Sequence, residues 1–185
     1  MVPFLSGEKI YLREIRPGDV SETSNYYGWM NDPEVNRYFE HTGFFPTSVE
    51  ALMERVTSSI KNPDVIALAI MLPTEGEEAV HIGTVRIGPI SWLHRFSELM
   101  ITVDRPYWGK GYATEAIKLL RDHAFNKLNL HTLTAHAYAA NKASLRVLEK
   151  VGFTIQGTHI NQFLLNGEYA DIYLLGMINP NHVAK

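Results

Sequence analysis

Apolar and polar residues alternate over residues 8–14, with Ile10 and Leu12 on one side, and a period of two predicts a first strand. Pro17-Gly18-Asp19 breaks it, and Asp19 is placed to cap a helix running to about Met30. Asp32-Pro33-Glu34 starts a second, short helix with a cap, a proline at the first position and an acid in the first turn. A loop with Phe44, Phe45 and Pro46 leads to a helical period over residues 48–60, where Leu52, Val56 and Ile60 share a face. Residues 65–72 and 80–87 read as a strand hairpin around an acidic turn. Residues 98–103 form another strand, with Leu99, Ile101 and Val103 facing one way and Glu98, Met100 and Thr102 the other. Trp108 to Glu115 opens a helix to about Leu128 with apolar positions 113, 116, 117, 120, 124 and 128. A strand at 131–138, a helix capped by Asn141 and ended by Gly152, and a hairpin around Asn166-Gly167 complete the chain.

That order of elements places hairpins on both sides of one strand–helix–strand crossover. It predicts a mixed sheet of about seven strands with flanking helices, an α/β (α+β) arrangement over one domain, residues 1–185. The 45% of hydrophobic residues suffices for a sizeable core. A net charge of −3 argues against the basic face that non-specific nucleic-acid binding needs. The absence of cysteine excludes disulfides, thiolate metal sites and a cysteine nucleophile. The longest aliphatic run, 65–72, is too short to span a bilayer, and no basic segment precedes an apolar stretch near Met1; a cytoplasmic protein without membrane contact is expected. The eight histidines show no ligand clustering, and His131 and His136 fall on opposite faces of one strand, so no metal is expected.

The turn Gly109-Lys110-Gly111-Tyr112-Ala113 stands between a strand and a helix. The first turn of a helix carries unpaired N–H groups and partial positive charge, and small residues let an anion approach them. Two familiar phosphate-binding signatures do not fit. The nucleotidase loop needs Ser or Thr after its lysine, and Lys110 is followed by Gly111. The dinucleotide fingerprint needs a third Gly or Ala where Thr114 stands.

Residues 98–158 resemble the core of the GNAT N-acetyltransferase superfamily, whose signature is Gln/Arg-x-x-Gly-x-Gly/Ala. Gly111 and Ala113 take its two small positions, and Trp108 replaces the usual Gln or Arg. Asn141-Lys142-Ala143-Ser144 with Val151-Gly152-Phe153, Asn166-Gly167-Glu168-Tyr169 with Asp171, and Leu12-Arg13, Asp19 and Trp29 through Val35 are similar to the RimJ/RimL-like branch, which includes ribosomal-protein N-terminal acetyltransferases. The resemblance implies a GNAT-like domain with a splayed cofactor cleft, acetyl-CoA as acyl donor, and transfer to a primary amine. Backbone groups of Ile101 and Val103 would pair with the pantetheine arm. Trp108, Gly109, Lys110, Gly111, Tyr112, Ala113 and Thr114 would hold the pyrophosphate, with Asn141 and Ser144 contributing contacts.

A general base helps, because an alkyl amine is mostly protonated at neutral pH, and a carboxylate in a partly dry cleft suits that task. Glu98 is the candidate. Many members of the superfamily protonate the leaving thiolate with a tyrosine; the matching position is Leu148, and Ser144, one turn earlier on the same face, is the substitute. On the acceptor side, Trp29, Trp92, His94 and Tyr169 are the main candidates, with Tyr26, Phe39, His41 and Phe44 beside them. The acceptor is a protein N-terminus or a small amine such as an amino sugar, and the assembly a monomer or homodimer. Two other readings remain at this point: a non-catalytic acyl-CoA-binding module, which needs neither Glu98 nor Ser144, and an acyltransferase using a longer acyl-CoA.

Overall fold

The computed structural model describes residues 2–39, 45–76 and 78–182. Strands β1 (Leu5–Ser6), β2 (Tyr11–Glu14), β3 (Ile66–Leu72), β4 (Val80–Ile87), β5 (Phe96–Val103), β6 (Thr132–Tyr138), β7 (Thr154–Leu165) and β8 (Glu168–Ile178) lie in the order β1-β2-β3-β4-β5-β6-β8-β7. There are eight strands rather than seven because the first segment folds back on itself, pairing Leu5 with Leu12. Glu115 anchors that turn by accepting the Lys9 backbone N–H at 2.9 Å. All neighbouring strands are antiparallel except β5 and β6, so the sheet is mixed as expected. Asn166 and Gly167, with φ of 54° and 87°, make the tight turn between β7 and β8.

Among the described residues, five α-helices cover the sheet: α1 (Asn25–Met30), α2 (Pro33–Asn36), α3 (Val49–Lys61), α4 (Tyr112–Asn126) and α5 (Lys142–Val151). On one face, Leu12, Ile70, Val85, Leu99 and Val103 pack against Ile117 and Leu120 of α4 and Leu145 and Leu148 of α5. On the other, α1–α3 bury Tyr26, Trp29, Val35, Leu52 and Val56 with Ile15, and Ala67 of β3 packs against them. Pleat alternation and register put Ala67, Arg86 and Met100 side by side on that second face, with Glu98 next along β5.

Side-chain caps start α2, α3 and α5. Ser48 accepts from Ala51 N–H at 3.1 Å, Asp32 from Glu34 N–H at 2.8 Å, and Asn141 from Ser144 N–H at 3.1 Å. Asp19 caps no long helix. It sits in a single 3-10 turn, and Ser24 caps α1 instead. The cause is the buried guanidinium of Arg13, which donates to both Asp19 oxygens at 2.6 and 2.8 Å. The segment from Trp108 to Gly111 is likewise loop, and α4 begins only at Tyr112. Among the described residues, no helix is long and apolar enough to cross a membrane.

Candidate active site

Among the described residues, the only parallel ladder is a short one. β5 and β6 pair at Phe96–Thr132, Ser97–Leu133 and Glu98–Thr134, and no pair follows. Each strand continues against its outer neighbour: β5 on β4 to Val103, β6 on β8 to Tyr138. The sheet therefore splits into a V whose vertex is at Glu98 and Thr134.

The direction of the backbone decides what faces the gap. The Glu98 carbonyl accepts from Gly88 N–H, so it points to β4. Alternation then turns the peptide groups of Leu99, Ile101 and Val103 toward the opening. The Val103 carbonyl confirms this, because the Trp108 indole N–H reaches it at 2.6 Å. Trp108 thus closes the outer end of the strand with a hydrogen bond, and Ile101 stands deeper in the V.

Both strands of the V run into helix N-termini at its open end. Gly109 and Gly111 have φ of 74° and 88°, a region where L side chains are strained. A Cβ at either would meet no atom within 4 Å, so the turn is an open cradle. Gly111 is the N-cap of α4, and the first intrahelical acceptance runs from Glu115 N–H to the Gly111 carbonyl. The N–H groups of Tyr112, Ala113 and Thr114 are therefore free of intrahelical partners. Lys110 lies over the Tyr107 ring, 5.5 Å from its centroid. At the neighbouring helix start, Ser144 spends its backbone N–H on the Asn141 cap. Leu148 is buried in the core. A cradle of positive-φ glycines, a row of unpaired N–H groups and an unpaired strand edge fit a diphosphate with an extended amide-bearing arm.

Across the sheet from the α4–α5 layer, at the vertex, lies a cleft of about 380 Å³ lined by Glu98, Thr134, His136, Gln156 and Leu174. Glu98 Oε1 and His136 Nδ1 are 2.5 Å apart, with side-chain exposures of 32% and 45%. Gln156 lies across Gly176, where a side chain on β8 would collide with its amide. Arg86 flanks Glu98 from β4; burial lowers its proton affinity, and the Glu98 carboxylate partly restores it. Its Nε is buried without a hydrogen-bond partner among the described residues. Tyr38, just past α2, meets Tyr138 of β6 with ring centroids 5.5 Å apart, and Phe163 flanks Tyr138 at 6.2 Å.

The acceptor candidates are not gathered here. Trp29 is wholly buried and packs edge-on against His81 at 4.9 Å. Burial holds the His81 imidazole neutral, down to about 4. Trp92 and His94 sit in the loop before β5, at the opposite end of that strand from the glycine turn, and the Trp92 indole donates to Asp64 at 2.7 Å. Tyr169 is exposed near the tip of the β7–β8 hairpin. His41 and Phe44 lie outside the described residues. Sequence reading missed His136, Gln156, Arg86 and the Tyr38–Tyr138 contact. One signal was present: Thr132, Thr134, His136 and Tyr138 occupy every second position of a strand, on the same face as Glu98.

Residues 9–154 match the family described as the acetyltransferase (GNAT) domain. The spermidine N(1)-acetyltransferase of Escherichia coli (strain K12) is 27% identical over 173 residues, which cover 93% of this chain and 89% of that protein. The uncharacterized protein YkkB of Bacillus subtilis (strain 168) is 44% identical over 124 residues, 66% of this chain and 70% of its own. Among solved structures, spermidine N-acetyltransferase from Vibrio cholerae in complex with CoA and spermine superposes with a TM-score of 0.80 at 23% identity, covering 92% of this chain and 96% of that one.

Proposed function

This chain belongs to the GNAT acetyltransferase family, and on that premise we propose that it moves the acetyl group of acetyl-CoA to a small primary amine by direct attack, with Glu98 as the base. One observation carries the proposal: the β5–β6 ladder stops at Glu98, so a carboxylate on one face meets an unpaired strand edge in the same gap. Acetyl-CoA supplies an acetyl group activated as a thioester. The amides from Gly109 to Thr114 hold its diphosphate, and the Ile101 and Val103 edge, with Asn141, holds its arm. A backbone N–H of that edge, aimed into the gap, stabilises negative charge on a carbonyl oxygen. Glu98 takes a proton from the acceptor ammonium, freeing the nitrogen lone pair. As the carbon–nitrogen bond forms and the carbon–sulfur bond breaks, Ser144 passes a proton to the departing sulfur, replaced by the one the amine gives up.

Whole-length similarity to a spermidine acetyltransferase supports a small amine over a protein N-terminus. Arg86 favours a second reading, an amine that also carries an anionic group, because its buried Nε and its charge are unsuited to a polycation. The test is release of free thiol from acetyl-CoA across spermidine, spermine, amino acids, nucleotide-linked amino sugars and N-terminal peptides. Turnover of a small amine, lowered about 100-fold or more by Glu98→Gln, is the expected result. Acetyl-CoA binding without turnover of any amine would leave a non-catalytic acyl-CoA-binding module, and preference for a longer chain would identify a different acyl donor.

A further inference from the structure

The base does not stand alone. Glu98 Oε1 is buried without a hydrogen bond among the described residues, and Nδ1 of His136 stands 2.5 Å away. The two groups attract as an ion pair when the imidazole carries its proton. The two residues come from the strands that part at the vertex, Glu98 at the last ladder pair and His136 two residues beyond it on β6. Their contact bridges the V where the backbone no longer does. Among the described residues, Thr134 on β6, Gln156 on β7, Leu174 on β8 and, from β4, Arg86 also face the pair.

From this juxtaposition we infer that His136 is the positioning residue of the base. The close contact of its Nδ1 holds Oε1, so that Oε2 is the oxygen presented to the acceptor ammonium. The step itself is simple. Oε2 takes one proton from the ammonium, the amine becomes neutral, and Glu98 becomes a carboxylic acid; the imidazole keeps its own proton throughout. An unheld carboxylate on a partly exposed side chain samples several rotamers, and misplacement by an ångström can cost about 100-fold in rate. Gln156 and Leu174 line the same cleft and would shape the space next to that oxygen.

The inference rests on the acetyltransferase reading, and its test separates the two. With the amine that the wild-type protein acetylates, His136→Ala is expected to lower kcat roughly 10- to 100-fold while the KM for acetyl-CoA stays within about twofold. His136→Asn keeps an N–H near the position of Nδ1 and is expected to recover most of that loss. Combined with Glu98→Gln, His136→Ala should cause no further loss, because it acts only through the carboxylate. The melting temperature should stay put, since the imidazole is nearly half exposed. Wild-type kcat in His136→Ala, no rescue by His136→Asn, or losses that multiply in the double variant would each overturn the role. A readout without turnover decides the pairing itself: the imidazole nitrogen resonances of His136 should change in Glu98→Gln, and unchanged resonances overturn the proposal even if no acceptor is turned over. Failure of the wild-type protein to transfer acetyl to any amine would instead count against the proposed function.

Discussion

Gly111 and Gly167 offer a matched pair for testing the diphosphate cradle. Their φ angles are 88° and 87°, and a Cβ at either position meets nothing within 4 Å. Substitution by alanine therefore has no steric component at either site and costs only the left-handed backbone, about 1–2 kcal/mol. For a chain of this size that lowers the melting temperature by roughly 2–8 °C in both variants. Only at Gly111 does the backbone have a second task. It is the N-cap of α4, directly ahead of the unpaired amides of Tyr112, Ala113 and Thr114. A methyl there either occupies the open cradle or makes the loop relax to negative φ and re-aim those amides. Losing one hydrogen bond to a charged phosphate is worth about 1.5–3 kcal/mol, or roughly 10- to 150-fold in Kd. Isothermal titration with coenzyme A should show that loss in Gly111→Ala and wild-type affinity in Gly167→Ala, with similar melting temperatures for both. Equal coenzyme A affinity in the two variants would refute the assignment of the turn to a diphosphate.

Asn141→Ala removes the side-chain cap of α5 and should cost about 1 kcal/mol in denaturant unfolding; Ser144→Ala leaves that cap intact, because only the Ser144 backbone N–H serves it, so unchanged stability with lowered kcat is expected, and unchanged kcat would strike the hydroxyl from the mechanism. His81 is held neutral, down to about 4 from 6.5, chiefly by burial. The unfolded chain then binds a proton that the folded one refuses; this stability is full above about pH 6.5 and is lost as pH falls toward 4, by roughly 3 kcal/mol. Urea unfolding from pH 7 to 4 should show that decline, flattened in His81→Phe; parallel curves would mean that the imidazole is not buried in its neutral form.

The glycine turn and helix start proposed to hold the donor were legible in the sequence because local motifs build them. A glycine turn between a strand and a helix, and an asparagine before the next helix, mean nearly the same thing in any fold. The acceptor side depends on registers that no local pattern encodes. Glu98 meets His136 because two strands share three ladder pairs and then part, and Arg86 joins them through pairing with Met100. Trp29 looked available as an aromatic near the chain start, but α1 turns it inward against His81. Asp19 misled for a related reason: its cap geometry is local, while the buried Arg13 that claims its carboxylate lies across a turn. The extra strand at Leu5–Ser6 is two residues long, below what a period of two can reveal.

The V is a deliberate failure of hydrogen bonding, and the surrounding packing shows why it persists. An unpaired buried peptide group costs about 1–3 kcal/mol, so a gap in a sheet would ordinarily close. Here β5 is held on β4 through five pairs and β6 on β8 through seven, and closing the gap would tear one of those ladders. On the helix face, Leu99, Val103, Leu145 and Leu148 belong to one buried cluster, which fixes the outer faces of the gap from behind. On the other face Tyr38 packs against Tyr138 of β6. The protein answers the outermost carbonyl with its own Trp108 and leaves the deeper strand edge around Ile101 without a ladder partner. A side chain spent on one position and withheld from the next separates structural repair from a binding surface. In the proposed reaction the acyl group's contacts fall between Trp108 and the vertex, on the side of the Glu98 carboxylate.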